Sequence, residues 1–336
     1  MRRLVAATVC ACLTLGAPAA VFAAKRSWAD REIQLVTSQG LMGGDAARFR
    51  PDAPLTKRAL AELVADLTAA PAATRATGDA TLAALDQALV RGLELSDEAR
   101  AFYVAARATG VRPPGRFGSE VVARLLGLRK NHEAPDDDLE LRPQDVATRA
   151  EAAYSAAQIL RFSGWELGTV EQVATEFELP VYTPWQRKIL QTAFDLIGYP
   201  YVWGGMSSGE QTVFGVKSRG GFDCSGFAWR VYRLQAYPGG ERLNATLRGR
   251  TAAQMAGEVP RARRIPLAKL EPGDLLFFGR GGRRARPAAV DHMGIYVGNG
   301  WMIHSSRYGV ALVRLDGWYA ERFAWGRRPL AEAGLA

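Results

Sequence analysis

Through the first half of the chain, apolar residues return every third or fourth position in short runs that Gly and Pro interrupt, a pattern that predicts helices. One is expected over residues 33–38, ahead of the turn Gly40-Leu41-Met42-Gly43. A second opens after Leu55-Thr56-Lys57-Arg58 and runs to Leu67; another opens at Thr148 and runs to Leu160. Before each of these two, a proline turn precedes a Thr placed to accept a hydrogen bond from the first-turn backbone. Beyond residue 184 the period changes. A helix is expected over 185–197, and Phe227, Val231 and Leu234 repeat at helical spacing after a Gly-rich segment. Leu275-Leu-Phe-Phe278 reads as a buried strand, and residues 291–297 and 301–304 read as a β-hairpin around Gly298-Asn299-Gly300. Its register decides which side chains share a face. With all three residues in the loop, Gly294 lies opposite His304, and His292 is the diagonal neighbour of His304. A two-residue loop sends the two histidines to opposite faces, so the three-residue loop is the expected one.

The pattern divides the chain into a helical segment, 28–162, a connector, 163–184, and a mixed segment, 185–330. Within the first, Phe49-Arg-Pro51 precedes Thr56-Lys57-Arg58, and Leu141-Arg-Pro143 precedes Thr148-Arg149-Ala150-Glu151. These stretches resemble S-layer homology repeats, whose Phe-x-Pro turn leads into a Thr-Arg-Ala-Glu helix start. The later copy has Leu141 in the Phe place, and the first lacks the Glu. A degenerate middle copy is expected near 98–128, with Gly110-Val111 and a helix from Ser119. The resemblance implies an all-α repeat domain that binds cell-wall polysaccharide.

Composition adds a compartment. Arg2 and Arg3, the apolar run 4–15 and Val21-Phe22-Ala23 predict a secretory signal over residues 1–24. The apolar run is shorter than the roughly 20 residues a membrane-spanning helix needs. The mature chain is therefore expected to be secreted and wall-associated, with no transmembrane helix. Cys10 and Cys12 leave with the signal, so Cys224 is the one cysteine expected to remain. Charge is uneven: residues 28–180 hold 17 basic and 23 acidic side chains, whereas 181–336 hold 22 and 11. A basic exported segment suits an anionic wall polymer or lipid surface, and export argues against nucleic acid.

The candidate chemistry gathers in the basic segment. Asp223 is a natural N-cap, which places Cys224 in the first turn of a helix, where free N–H groups favour a thiolate. Two of the three histidines of the chain lie in the hairpin; His132, in a polar stretch, is expected to be ordinary surface. A base beside the thiol and a second polar group orienting that base are what thiol catalysis requires.

Around these residues run Pro200-Tyr201-Val-Trp-Gly-Gly205, Phe222-Asp-Cys-Ser-Gly-Phe227, Arg250-Thr-Ala-Ala-Gln254, Pro272-Gly-Asp274-Leu, and His292-Met-Gly-Ile-Tyr-Val-Gly-Asn-Gly300. In this order they resemble the NlpC-type cysteine peptidase family. The resemblance implies an α+β papain-like domain, with helices packed on an antiparallel sheet. It also implies Cys224 as nucleophile, His292 as base and His304 as the orienting residue. Tyr201 would line the oxyanion region, and Asp223 and Ser225 would meet the peptide end of the substrate. The expected substrate is a peptidoglycan stem peptide, cut between D-γ-glutamate and the diamino acid, with no cofactor and no metal. Residues 206–219 depart from the family pattern as a long rim loop. Because every catalytic motif falls after residue 185, that segment is expected to act on small peptides without the first. The competing readings are a lipid-directed thiol hydrolase or acyltransferase on the same fold, and a non-catalytic wall-binding protein.

Overall fold

The computed structural model describes residues 27–68, 77–131 and 140–336. The expected signal segment and His132 lie outside them. The first half contains α1 (Asp30–Ser38), α2 (Lys57–Thr68), α3 (Leu82–Gly92), α4 (Ser96–Ala108), α5 (Phe117–Leu125) and α6 (Arg149–Leu160).

Three of these helices begin the same way. Thr56, Thr81 and Thr148 accept hydrogen bonds from the N–H groups of Ala59, Ala84 and Glu151 at 3.1, 3.2 and 3.2 Å. The residues just before them close a ring of backbone hydrogen bonds: Leu55 N–H to Ala147 O, Ala147 N–H to Ala80 O, and Ala80 N–H to Leu55 O. All three are fully buried. The helix starts thus form a pseudo-threefold hub. The middle copy is the one at Thr81, not the stretch near 98–128, which forms α4 and α5. Its signal is faint in sequence because Leu82 and Ala84 stand where the later copy has Arg149 and Glu151. Arg149 explains why the later copy keeps its Arg. The guanidinium lies 4.6 Å from the Phe49 ring and donates to Phe49 O and Met42 O, stapling the last copy to the first.

Beside the hub is a buried ionic cluster. Arg129 pairs with Asp86 at 3.0 Å and Glu140 at 2.6 Å, while Arg124 pairs with Glu120 at 2.8 Å and Glu140 at 3.2 Å. Three carboxylates face two guanidiniums out of water. Burial pushes Asp86 up to about 8 despite Arg129. At neutral pH Asp86 therefore retains a proton within the cluster.

Part of the expected connector is helical. α7 (Trp165–Glu176) buries Val170 and Ala174 and packs on α4. Phe177 follows it, with its ring 4.9 Å from both Phe102 and Trp301. A single apolar core therefore runs from the helical half into the second half.

The second half opens with α8 (Pro184–Asp195), started by a reciprocal Thr183–Gln186 capping box. β1 (Met206–Ser207) pairs with β4 (Gly221–Phe222), and between them β2 (Gln211–Val213) and β3 (Val216–Ser218) form a separate hairpin. Next come α9 (Cys224–Trp229), continued as a π turn to Leu234, and α10 (Ala252–Gly257). The main sheet is antiparallel, built from β5 (Leu275–Gly279), β6 (Val290–Gly298), β7 (Trp301–Ser306), β8 (Gly309–Arg314) and β9 (Phe323–Arg327) in the order β8-β7-β6-β5-β9. Two short helices, α11 (Gly317–Arg322) and α12 (Pro329–Glu332), flank β9. Helices on an antiparallel sheet, behind an all-α domain, are the fold class that the sequence implies.

The β6–β7 loop is built differently from expectation, yet reaches the same register. Asn299 and Gly300 alone form the turn, both at positive φ (48° and 78°), which suits a tight hairpin. The pairing then shifts by one residue between Tyr296 and Gly298. That bulge restores Ile295 opposite Ile303 and brings Gly294 beside His304, whose Cβ lies 3.2 Å from the position a Gly294 Cβ would take.

Candidate active site

The Cys224 helix is held at its start from three sides. The Asp223 carboxylate accepts from Gly226 N–H at 2.5 Å and from Ser225 Oγ at 2.9 Å. Gly226 presses against the Gly205 carbonyl, which a Cβ there would strike. Arg250 closes the third side: its guanidinium donates to Asp223, to Ser225 Oγ at 2.7 Å and to Gly204 O at 2.9 Å. Ser225 is buried, its hydroxyl shared between Asp223 and Arg250. It therefore serves to hold Asp223.

α9 packs on β6, the strand that carries His292. Cys224 is a free thiol, half-buried, but its surroundings are dense enough that burial, and then the Asp223 charge, push it up to about 12. The Met293 and Ser225 N–H groups pull the other way and lose. The thiolate expected from the helix start is thus not the resting form. Burial likewise pushes His292 down to about 4, with Asp291 opposing, and pushes the fully buried His304 well below the ordinary imidazole range. Thiol and rings rest neutral.

His292 Nε2 and His304 Nδ1 lie 2.7 Å apart with their rings at 86°, sharing one hydrogen. On its far side His304 Nε2 lies 3.4 Å from the Tyr319 hydroxyl. The Phe278 ring sits 5.8 Å from His292 and 5.6 Å from Tyr319, keeping water from this row. Tyr201 is half-buried and forms a backbone bridge to Phe222. Burial raises its phenol, and a charge on Cys224 or Asp223 would raise it further, so the phenol lies within electrostatic reach of both.

The structure therefore brings Cys224, His292, His304, Tyr201 and Asp223 together, and adds Arg250, Tyr319 and Ser305. The Ser305 hydroxyl donates to Phe222 O at 2.6 Å, tying β7 to the segment before Cys224. Arg250 stood inside a recognisable motif with no role attached. Tyr319 and Ser305 carried no sequence signal, because only the fold brings them near. A cavity of about 880 Å³ lies elsewhere, between the helical half and the β2–β3 hairpin, lined by Asp145, Thr148, Gln211, Lys217 and Arg219. Among the described residues, no group of three or more His, Cys, Asp or Glu is placed to hold a metal ion.

Two segments of the chain resemble known proteins. Residues 198–328 match the NlpC/P60 family, and residues 24–61 match the S-layer homology domain. The gamma-D-glutamyl-L-lysine dipeptidyl-peptidase of Bacillus subtilis (strain 168) is 33% identical over 129 residues, covering 37% of this chain and 33% of its own length. Murein DD-endopeptidase MepH of Escherichia coli (strain K12) is 36% identical over 134 residues, covering 39% of this chain and 41% of its own. The chain thus spans less than half the length of either relative. A crystal structure of an NlpC/P60 family protein from Bacillus cereus ATCC 10987 aligns at 26% identity over 46% of this chain and 42% of that one, with a TM-score of 0.33. This chain carries an NlpC/P60 family domain at residues 198–328, preceded by an S-layer homology domain at residues 24–61.

Proposed function

We propose that the protein is a secreted, wall-associated peptidoglycan endopeptidase that cleaves an amide bond of the stem peptide, between D-γ-glutamate and the diamino acid, by Cys-His-His catalysis. The observation that carries the reading is the row of groups behind the one cysteine expected in the mature chain: Cys224 at a helix start, β6 packed on it, and His292 hydrogen-bonded to His304 at 2.7 Å.

In this reading His292 spends Nε2–H on His304 Nδ1, leaving the Nδ1 lone pair to take a proton. His304 passes its own Nε2–H towards Tyr319, so a single tautomer satisfies the row. A thiol at about 12 beside an imidazole at about 4 keeps the proton on sulfur until substrate arrives. Proton transfer to His292 then accompanies attack of Sγ on the carbonyl carbon. The C–N bond breaks as His292 returns that proton to the leaving amine, and water later hydrolyses the thioester. The α9 N–H groups and the Tyr201 hydroxyl stabilise the developing oxyanion. Asp223, held by Ser225 and Arg250, meets the peptide end of the substrate. Residues 28–162 keep the enzyme on wall polysaccharide, and residues 185–330 carry the chemistry; the names of the curated relatives support the substrate class.

The test is digestion of purified peptidoglycan by the mature protein, with the new ends identified by mass spectrometry. New diamino-acid amino termini are expected. Absence of any new peptide end would overturn the reading.

A further inference from the structure

We infer that the helical half is a working part of the catalytic centre, with Asn131 as a positioning residue that holds the Tyr201 segment against the start of the Cys224 helix. This rests on the reading of Tyr201 and Cys224 given above.

The backbone hydrogen bonds of this segment run in two directions. Phe222 N–H donates to Pro200 O, and Val202 N–H donates to Phe222 O, so the residues on either side of Tyr201 are laced to the strand before Cys224. The N–H of Tyr201 itself faces the other way. Its partner is Asn131 Oδ1, at 2.9 Å, contributed by the helical half. Losing that acceptor leaves a half-buried N–H to find water or to move, and the phenol moves with it.

Asn131 acts within a larger cradle. Arg116, at the N-cap of α5, donates to Asp195 O at 3.1 Å and Ile197 O at 2.7 Å, taking up carbonyls freed at the end of α8. Arg124 on the same helix donates to Gly198 O at 3.5 Å and to Tyr308 O, in the turn after the His304 strand. Residues 195, 197, 198 and 201 are therefore all hydrogen-bonded by side chains of the helical half. A free-standing catalytic domain would have to leave these groups to water. The hydrogen bond to Asn131 differs from the arginine bonds in holding the residue whose phenol lies within electrostatic reach of Cys224.

The test uses the full chain and a soluble γ-D-glutamyl–diamino acid peptide. Asn131→Ala should lower kcat by about tenfold, a magnitude in keeping with a sub-ångström misplacement near the chemistry, while KM changes less than about twofold. Asn131→Asp keeps an acceptor oxygen in place and should recover most of the loss; Asn131→Ser answers the same question should the alanine protein not fold. The decisive arm repeats Asn131→Ala in a Tyr201→Phe background, where its penalty should largely vanish because the two act on one group. Wild-type kcat in the alanine protein, or an undiminished penalty in the Tyr201→Phe background, would overturn the inference while leaving the catalytic reading intact. A wild-type protein with no turnover would overturn both.

Discussion

The helical half buries a cluster of charges beside its hub, and the surroundings of Cys224 bury neutral groups that can exchange a proton. In the first, Asp86, Glu120 and Glu140 surround Arg124 and Arg129, and one oxygen of each carboxylate lacks a hydrogen-bond partner. In the second, Cys224, His292 and His304 sit in dense surroundings that remove charge from all three. The same low dielectric acts on both. Where opposite charges are close, it makes a rigid cluster that costs a great deal to break. Where they are absent, it keeps a thiol and an imidazole uncharged until a substrate completes the site. The difference lies in what each of the two places must do: hold a shape, or pass a proton.

Breaking the catalytic row at its base should have the largest effect. His292→Ala is expected to lower kcat/KM by about 10⁴-fold, since nucleophile and base act as a unit. The neutral resting ring adds a pH signature. The folded value of His292 lies below its ordinary 6.5, so activity should persist as pH falls below 6.5 and be lost only through about 4. Stability follows the same sign: the unfolded ring binds a proton first, so stability present above 6.5 declines as pH falls towards 4. An acid limb at 6.5 in the rate profile would refute the neutral row.

Breaking the ionic cluster should cost stability instead. Arg129→Ala removes the partner of Asp86, leaves Glu140 with Arg124 alone, and should lower unfolding free energy by about 3–5 kcal/mol in urea titrations. Asp86→Asn should cost far less, because Asp86 already holds a proton near neutral pH. Equal losses for the two would mean that the cluster carries no retained proton.

His304→Gln comes next. An amide can still accept from His292, so a fall of about 10- to 100-fold in kcat is expected, the scale of a lost orienting partner. A collapse as deep as that of His292→Ala would give His304 a direct part in proton transfer. Smallest is Thr81→Ala, expected to cost about 1 kcal/mol, the worth of one helix cap. Thr56→Ala and Thr148→Ala should match it in thermal melts if the three helix starts are equivalent.

Much of this architecture was legible from residue patterns, and the failures have physical causes. Cys224 and His292 stood out because a helix start and a hairpin are local features with strong spacing rules. His304 reached the same face as His292 only because a bulge near Val297 offset a two-residue turn, and neither periodicity nor loop length encodes such a bulge. The third helix start, at Thr81, lacks the charged residues of its counterparts and shows itself only through the backbone ring with Leu55 and Ala147. The stretch 163–184 looks like a linker by its prolines, yet Phe177 packs between Phe102 and Trp301. A fragment starting at residue 181 would lack Phe177 and lose its packing on Trp301. Asn131 and Tyr319 are long-range contacts, and no local pattern announces them.

The most direct measurement is release of soluble peptides from purified peptidoglycan by the wild-type protein and by Cys224→Ala, at equal concentrations of folded protein and read by mass spectrometry. The account predicts new diamino-acid amino termini from the wild type and none above background from the alanine variant, with unchanged far-ultraviolet circular dichroism. Equal release by the two proteins would contradict thiol catalysis at Cys224.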